Sequence, residues 1–600
     1  MLARKGKDRS SFSRRTKIGK LFCRDGVPQS KELERIMRIP RRQWQQEPAD
    51  AVAQLAADLQ ELWGLPDGTM VPRPVQVVAI MELHDYGGLL GPIRVGGGKT
   101  LISFVAPVVV GAERPLLLIP ANLRGKTHRD FAELEQHWQA HPRLELMTYE
   151  LLSRDRGTAE LARIKPDLII ADECHKLANT RAGCTRKVRR HMQEHPETSF
   201  VGLSGTITVR SLREYHHIMA WCLPGHMPMP RQWGELQDWA DALDEKVDAL
   251  KRLAPGALLQ LCSNEELTEA RNGQIAPITA ARRGYRRRLV ETPGVVATDE
   301  SELGCSLSIE ELRIATSDAV HEAFDRLRRD WETPDGHPIC EAMELWRHAR
   351  ELACGFYYRW DPPASVDWLH ARRNWAAFCR ETIKHTRRAI DTEFQVAAAC
   401  KRGELDAEAH EAWVAIRDTF KPNTVPVWID TTMCEAAAAW LSAEGEPPGL
   451  CWVEHRAFGH KLAELAGVPY FANEGRDARG VFIEDHEGPA ILSIASNSEG
   501  RNLQYKWHRS LVTSAPPKGG LWEQMLGRTH RDGQPADEVR YTVALACSEQ
   551  WAAFQQAVAD AVYIQDTTGQ PQKLCYADVC MPDPSEVMHR GREDPAWWAD

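Results

Sequence analysis

Three groups of residues in this chain combine types and spacings suited to chemistry. The first is Gly91 to Thr100, GPIRVGGGKT, where a short apolar run passes through three glycines into Lys and Thr, followed by the apolar segment LISFVAPVVV. Strand, loop and helix in that order are what a phosphate-binding loop requires, and a chance Gly-rich turn is the competing reading. Gly96, Gly97 and Gly98 carry no β-carbon, so successive backbone N–H groups can converge on one anion, which the positive end of the following helix also favours. Lys99 then reaches the β- and γ-phosphates, and Thr100 offers its hydroxyl to Mg²⁺. The strict pattern asks for glycine where Ile93 stands. The second group closes the run PDLIIADE: two adjacent carboxylates leaving a buried strand need a cation or water to face. Asp172 is placed to hold Mg²⁺, usually through water, and Glu173 to orient or deprotonate an attacking water. A solvated strand end is the plainer reading. The third group is EQMLGRTHRDGQ, Glu523 to Gln534. Arg is always charged and carries a planar donor fork, so Arg531 is the candidate cation for charge developing on a γ-phosphate, with Arg528 three residues away on the same helix face. Gln524 is a candidate sensor of the γ-phosphate or the bound water. The plainer reading is an Arg-rich surface helix.

These residues need a scaffold. The runs PLLLIP, LELM, PDLIIADE and SFVGLSGT follow the glycine loop and alternate with helical segments, which implies a parallel sheet covered on both faces. Sites then gather at strand carboxyl ends. SFVGLSGT ends in Ser204, Gly205 and Thr206, a small polar turn suited to relaying between a nucleotide and a second domain. Upstream, AVAQLAADLQELW has helical period and leads into VPRPVQ, where Arg73 and Gln76 are candidates for reading an adenine edge, since Gln presents a donor and an acceptor. A loop Gln before a helix is the competing reading. A second α/β pattern begins near Val427, with GLCWVEH, AILSIAS, SLVTSAPP and VRYTVALAC as apolar strands. It is followed by the helical WAAFQQAVADAVYIQ and a Pro- and acid-rich end.

Composition bounds the partners. At 600 residues the chain requires about two to four domains. A net charge of −9 argues against a globally basic binder, so nucleic acid must be met in a local groove. No apolar run approaches a membrane span, and the basic start has no apolar core, so neither a membrane partner nor secretion is expected. The 15 cysteines show no CxxC pair and no disulfide framework, which fits a reducing cytoplasm. Cys184, His191 and His195 have no evident fourth metal ligand, and a surface helix is the preferred reading.

Residues 1–50 carry a basic excess with little apolar periodicity, as a phosphate-touching tail or, preferably, a solvated and partly disordered arm. Residues 210 to about 430 are rich in Trp, Arg and acids and mostly helical by period, without a run of strands. Within them ARRGYRRRLVETPG gathers Arg282, Arg283, Arg286, Arg287 and Arg288 around Tyr285. Such a cluster suits a nucleic-acid backbone or, equally, a solvated face paired with nearby acids. For Trp360, Trp368 and Trp375 a packed aromatic core is the default.

Gln76, GGGKT, LIPANL, MTYELLS, DECH and SGT, in this order, resemble the first motor domain of superfamily-two helicases and translocases. That superfamily has a non-Gly residue at the position of Ile93. SGT is closer to the Swi/Snf-type translocases than to the DEAD-box proteins. SEGRNLQ and then EQMLGRTHRDGQ resemble the fifth and sixth motifs, the latter in the Swi/Snf form QxxGRxHRxGQ, and ELACGFYYRW with WLHARRNW resembles helical elements that bacterial and phage Swi/Snf-like proteins carry before the second motor domain.

The resemblance implies an α/β fold of two RecA-like parallel-sheet motor domains with a long, mainly helical insertion between them. The division is a basic extension at 1–50, motor domain 1 at 51–210, the insertion at 211–430, motor domain 2 at 431–565 and a tail at 566–600. It implies ATP and Mg²⁺ as cofactors, double-stranded DNA as the track, and translocation or remodelling as the output, in a bacterial or phage-infected cytoplasm. Asn122, Thr148, Arg501, Asn502, Arg286 and Arg287 are the candidate nucleic-acid contacts. A monomer is favoured, with the insertion or tail available to a protein partner. A strand-separating DNA or RNA helicase shares every ATPase motif, whereas a packaging-type motor and a non-catalytic binder fit less well.

Overall fold

The structure is a computed structural model that describes residues 26–42, 49–94, 96–205, 210–245, 247, 251–297, 305–330, 332–335, 342–385, 390, 393–421 and 423–580. Five short apolar runs become strands: β1 (Leu89–Pro92), β2 (Pro115–Ile119), β3 (Glu145–Thr148), β4 (Leu168–Asp172) and β5 (Ser199–Ser204). They pair in parallel in the order β1-β5-β4-β2-β3. Side chains alternate across a strand, and here both faces are apolar. Leu168 and Ile170 of β4 enter one core, and Ile169 and Ala171 the other. Helices Pro74–Tyr86 and Lys99–Val109 cover the first face through Val77, Ile80, Leu83, Ile102 and Val105. The opposite face is covered by helices Gly183–Glu194, His216–Cys222 and Pro277–Val290, so this packed layer continues past residue 210 as far as Val295. Helix Lys31–Met37 also joins it, burying Leu33 and Ile36 completely. That part of the basic arm, read from sequence as solvated, is therefore built into the fold through Val27, Leu33, Ile36 and Ile39, apolar side chains too sparse among the charges to register as a period.

The remaining strands are β6 (Ser306–Arg313), β7 (Phe356–Trp360), β8 (Thr424–Trp428), β9 (Gly449–Val453), β10 (Tyr470–Phe471), β11 (Ala490–Ser493), β12 (Arg509–Val512), β13 (Glu538–Leu545) and β14 (Asp578–Cys580). A second parallel sheet runs β10-β11-β9-β12-β13-β6-β14. Its β9 alternates in the same way, with Leu450 and Trp452 in one core and Cys451 and Val453 in the other. The chain is thus α/β, with two parallel sheets flanked by helices.

Two features of the 210–430 region differ from the reading of mainly helical period. Strand β6 pairs along its whole length with β13, from Ser306 opposite Glu538 to Arg313 opposite Leu545, and becomes part of the second sheet. The stretch FYYRW is not helical: β7 pairs antiparallel with β8, as its aromatic β-formers favour. Helices then surround a ring cluster in which Trp368 packs against Trp360, Trp413 and Phe420 at centroid distances of 6.1, 5.2 and 5.1 Å. Among the described residues no helix is long and apolar enough to cross a membrane.

Candidate active site

At the carboxyl end of β1 the chain turns through Gly96 (φ 86°) and Gly98 (φ 82°), both left-handed, and Gly98 caps helix Lys99–Val109. Only glycine accepts those angles without strain. Gln76 explains the tightness of the turn, because a β-carbon at Gly98 would lie 2.1 Å from its Nε2. The Gln76 amide donates to Gly98 O at 2.9 Å and accepts from Arg73 N at 2.7 Å. Its donor and acceptor both engage backbone, so Gln76 braces the loop from below. Arg73 reaches the same turn, donating from Nη1 to Gly96 O at 2.8 Å. Ile93 is fully buried in the core, which accounts for an apolar residue where the strict pattern has glycine. Lys99 Nζ donates to Ile93 O at 3.2 Å and stands 3.5 Å from Glu173 Oε1. Thr100 occupies the same first helical turn, half-buried.

Strand β4 delivers Asp172 and Glu173 to this point. Glu173 has φ 55° and ψ 53°, a left-handed conformation that costs an L-residue about 1–2 kcal/mol. Strain of this kind persists where surrounding contacts over-determine it. Those contacts are visible: Tyr149 OH donates to Asp172 O at 2.7 Å, and Glu173 N donates to Asp172 Oδ1 at 3.1 Å. Ser204 Oγ donates to Glu173 Oε2 at 3.2 Å, and His175 Nδ1 lies 2.9 Å from Ser204 Oγ and 3.4 Å from Glu173. Burial raises both carboxyls. At Glu173 it is outweighed by Lys99, His175 and Ser204, which hold the group well below the ordinary carboxylate range. At Asp172 burial and the Glu173 charge win, pushing it up to about 6. The pair therefore divides into Glu173, held ionised, and Asp172, whose charged form is disfavoured unless a cation stands close to it.

The arginines come from the other sheet. Helix Gly519–Leu526 carries Gln524, buried, and leads to Arg528, which donates from Nε to Gln524 O at 2.8 Å and from Nη1 to Arg501 O at 3.1 Å. Burial, then repulsion from Arg531, lowers Arg528 to about 10. Its bonds make it a brace for the turn. Arg531 points across to the glycine loop: a β-carbon built on Gly96 would lie 3.2 Å from its Nη2. Arg531 Nη1 donates to Asn502 Oδ1 at 2.8 Å, while its buried Nε has no hydrogen-bond partner among the described residues. A half-buried guanidinium beside a glycine turn, with a buried Nε–H left unsatisfied, suits an anion. Asp532 follows, with Oδ2 3.3 Å from Arg73 Nη1 and 3.4 Å from Arg94 Nη2.

The two halves also meet elsewhere. Gln570 Nε2 donates to Ser204 O at 3.3 Å and Gly205 O at 3.0 Å; Thr206 lies outside the described residues. Glu499 accepts from Asn122 Nδ2 at 3.4 Å and pairs with Lys176 at 3.1 Å. Arg210 pairs with Asp560 at 3.1 Å. Sequence reasoning did not single out Arg94, Tyr149, Asp532 or Gln570. For Arg94 and Asp532 the signal was present, as charges inside or beside the motifs.

Each candidate nucleic-acid contact also has a partner within the protein. Thr148 caps helix Tyr149–Ser153, accepting from Leu151 N at 3.1 Å. Arg501 is buried on Glu484 at 3.1 Å and on Glu474 O. Asn502 is exposed and holds Arg531. On helix Pro277–Val290 three of the clustered arginines pair with nearby acids, as one of the two readings expected: Arg282 with Glu245 at 2.9 Å, Arg283 with Glu269 at 3.5 Å and Arg287 with Glu266 at 3.0 Å. Arg282 and Arg288 are buried, Arg286 donates to Gln565 O at 3.5 Å, and Arg287 donates to Glu266 at 3.0 Å and Leu261 O at 2.6 Å.

For a metal, Thr100 and Asp172 offer the hard oxygens that Mg²⁺ takes, and Mg²⁺ is typically completed by waters and substrate phosphates. Among the described residues no three His, Cys, Asp or Glu side chains converge as a metal cluster. His191 turns inward, its Nε2 2.9 Å from Pro166 O. No protein-family model matches the chain, and comparison with curated proteins finds no significant match.

Proposed function

We propose that the chain is an ATP-driven nucleic-acid motor whose two sheets are RecA-like lobes, with hydrolysis at the junction between them. The observation that carries this reading is the approach of the Arg531 guanidinium, from the second half, to the glycine turn at Gly96 in the first. Phosphoryl transfer is catalysed mainly by positioning and by cations that meet developing charge. Lys99 and the N–H groups of Gly96 to Thr100 bind the phosphates. Thr100 and Asp172 hold Mg²⁺, which when bound stabilises charge on the transferring oxygens. Glu173, kept ionised by Lys99, His175 and Ser204, orients or deprotonates the attacking water, proton transfer becoming easier as Lys99 turns from it to the phosphates.

The contacts of Gln570 with the Ser204–Gly205 turn and of Glu499 with Asn122 and Lys176 support a motion in which the lobes respond together to events at the loop. Alternating grip on a backbone then turns hydrolysis into stepping, largely independent of sequence. Double-stranded DNA as the track, remodelling rather than strand separation as the output, and a bacterial or phage-infected cytoplasm as the setting rest on the Swi/Snf-type motifs. ATPase rates with duplex DNA, single-stranded DNA and RNA, alongside triplex displacement and forked-duplex unwinding, test the proposal. Stimulation by duplex DNA with triplex displacement supports it; unwinding of forked duplexes favours the helicase alternative.

A further inference from the structure

Three guanidiniums converge on the glycine loop. Arg73 donates to Gly96 O at 2.8 Å, Arg531 packs at the β position of Gly96, and Arg94 belongs to the loop's own approach. Asp532 meets two of them: its Oδ2 reaches Arg73 at 3.3 Å and Arg94 at 3.4 Å from a position 438 residues along the chain from Arg94. The Asp532 carboxylate thus lies between one nitrogen of Arg73 and one of Arg94, where a phosphate oxygen of similar charge would also be met.

Resting on the nucleotide reading above, we infer that Asp532 is a displaceable counter-anion that competes with the nucleotide's phosphates for Arg73 and Arg94, and so sets nucleotide affinity. Its exposure fits that task. The Asp532 side chain is 47% exposed and that of Arg73 52%, so this ion pair is weak and readily exchanged, while Arg94, 18% exposed, holds the same carboxylate from the more sheltered side. A polyphosphate carries more charge and accepts from both forks, so it outcompetes one carboxylate. Asp532 adjoins Arg531 in sequence, so releasing its grip on Arg73 and Arg94 frees the segment bearing the finger. Asp532 is thus a positioning residue that links arrival of the nucleotide to the placement of Arg531.

The test is equilibrium binding of a methylanthraniloyl-labelled ATP with Mg²⁺ to the full chain, in wild type, Asp532→Asn, Arg94→Gln and the double variant, with melting temperatures taken without nucleotide. The inference expects Asp532→Asn to bind about three- to tenfold tighter at low ionic strength. It expects that gain to shrink in salt and in the Arg94→Gln background, with the melting temperature unchanged. Wild-type binding with equal or weaker binding by Asp532→Asn overturns the inference and leaves the nucleotide reading standing. A lowered melting temperature with unchanged affinity assigns Asp532 to lobe docking alone and also overturns it. Folded wild type and variants that all fail to bind the probe overturn the nucleotide reading itself.

Discussion

The Lys99 ammonium lies 3.5 Å from the Glu173 carboxylate, although the two residues leave different strands of the first sheet. This ion pair joins the glycine loop to the candidate base and helps to keep Glu173 ionised. Glu173→Gln removes the base without altering its volume and is expected to lower nucleic-acid-stimulated ATPase activity ~10²–10⁴-fold while nucleotide binding persists. Lys99→Ala should lose both. Steady-state turnover with labelled-nucleotide binding checks the split, and a Glu173→Gln enzyme as active as wild type refutes the assignment.

Arg288 donates to Ile39 O at 3.0 Å, Pro40 O at 2.9 Å and Thr292 Oγ1 at 3.3 Å, so it ties the N-terminal segment to helix Pro277–Val290. Arg288→Ala is expected to destabilise the fold by about 2–3 kcal/mol, read as an earlier denaturant midpoint. Because Arg286 and Arg287 are engaged within the protein, Arg286→Gln and Arg287→Gln should leave the salt dependence of DNA affinity unchanged. A slope reduced by about one for each substitution would instead place them on phosphates.

Glu82 is fully buried, its Oε2 accepts from Gly294 N at 2.6 Å, and burial pushes its carboxyl up to about 7. The folded state therefore holds its proton more tightly than the unfolded chain, and stability falls as pH rises. The contribution is complete below about pH 4.5 and declines up to about pH 7, by about 3 kcal/mol for a shift of that size. Glu82→Gln should flatten the denaturation midpoint between pH 5 and pH 8 and exceed wild type in stability at pH 8. An unchanged pH slope would assign the dependence to other groups.

Gln570 is buried and donates to the carbonyls of Ser204 and Gly205 from a segment that follows the long helix Ser548–Thr568 on the second sheet. If it couples the halves, Gln570→Ala should retain basal hydrolysis while stimulation by DNA falls about tenfold, equivalent to ~1.4 kcal/mol and within reach of one buried hydrogen-bonding group. Full stimulation in the variant would reduce Gln570 to a packing residue.

Parallel strands were legible where apolar runs were short and bounded, as in PDLIIADE and GLCWVEH, because burial on both faces leaves its mark in composition. Strand β6 was not, since SLSIEELR owes its place to pairing with β13, a partner distant in sequence. The glycine loop, the acids and the arginines were individually legible from residue type. Their mutual geometry was not: nothing local indicates that Gln76 braces Gly98, or that Ser204 and His175 share Glu173. The arginine cluster reads alike whether it faces solvent, phosphate or its own backbone. In the structure Arg282, Arg283 and Arg287 pair with acids and Arg288 with backbone carbonyls, partners distant in sequence.

The account depends on Arg531 acting at the loop it approaches, so single-turnover hydrolysis of ATP by Arg531→Ala with saturating duplex DNA tests it most directly. A drop of ~10³-fold or more, with MgATP affinity within a few-fold of wild type and an unaltered melting temperature, is the predicted result. Hydrolysis by Arg531→Ala within tenfold of the wild-type rate, or a folded wild-type protein that hydrolyses no ATP with any polynucleotide, would contradict it.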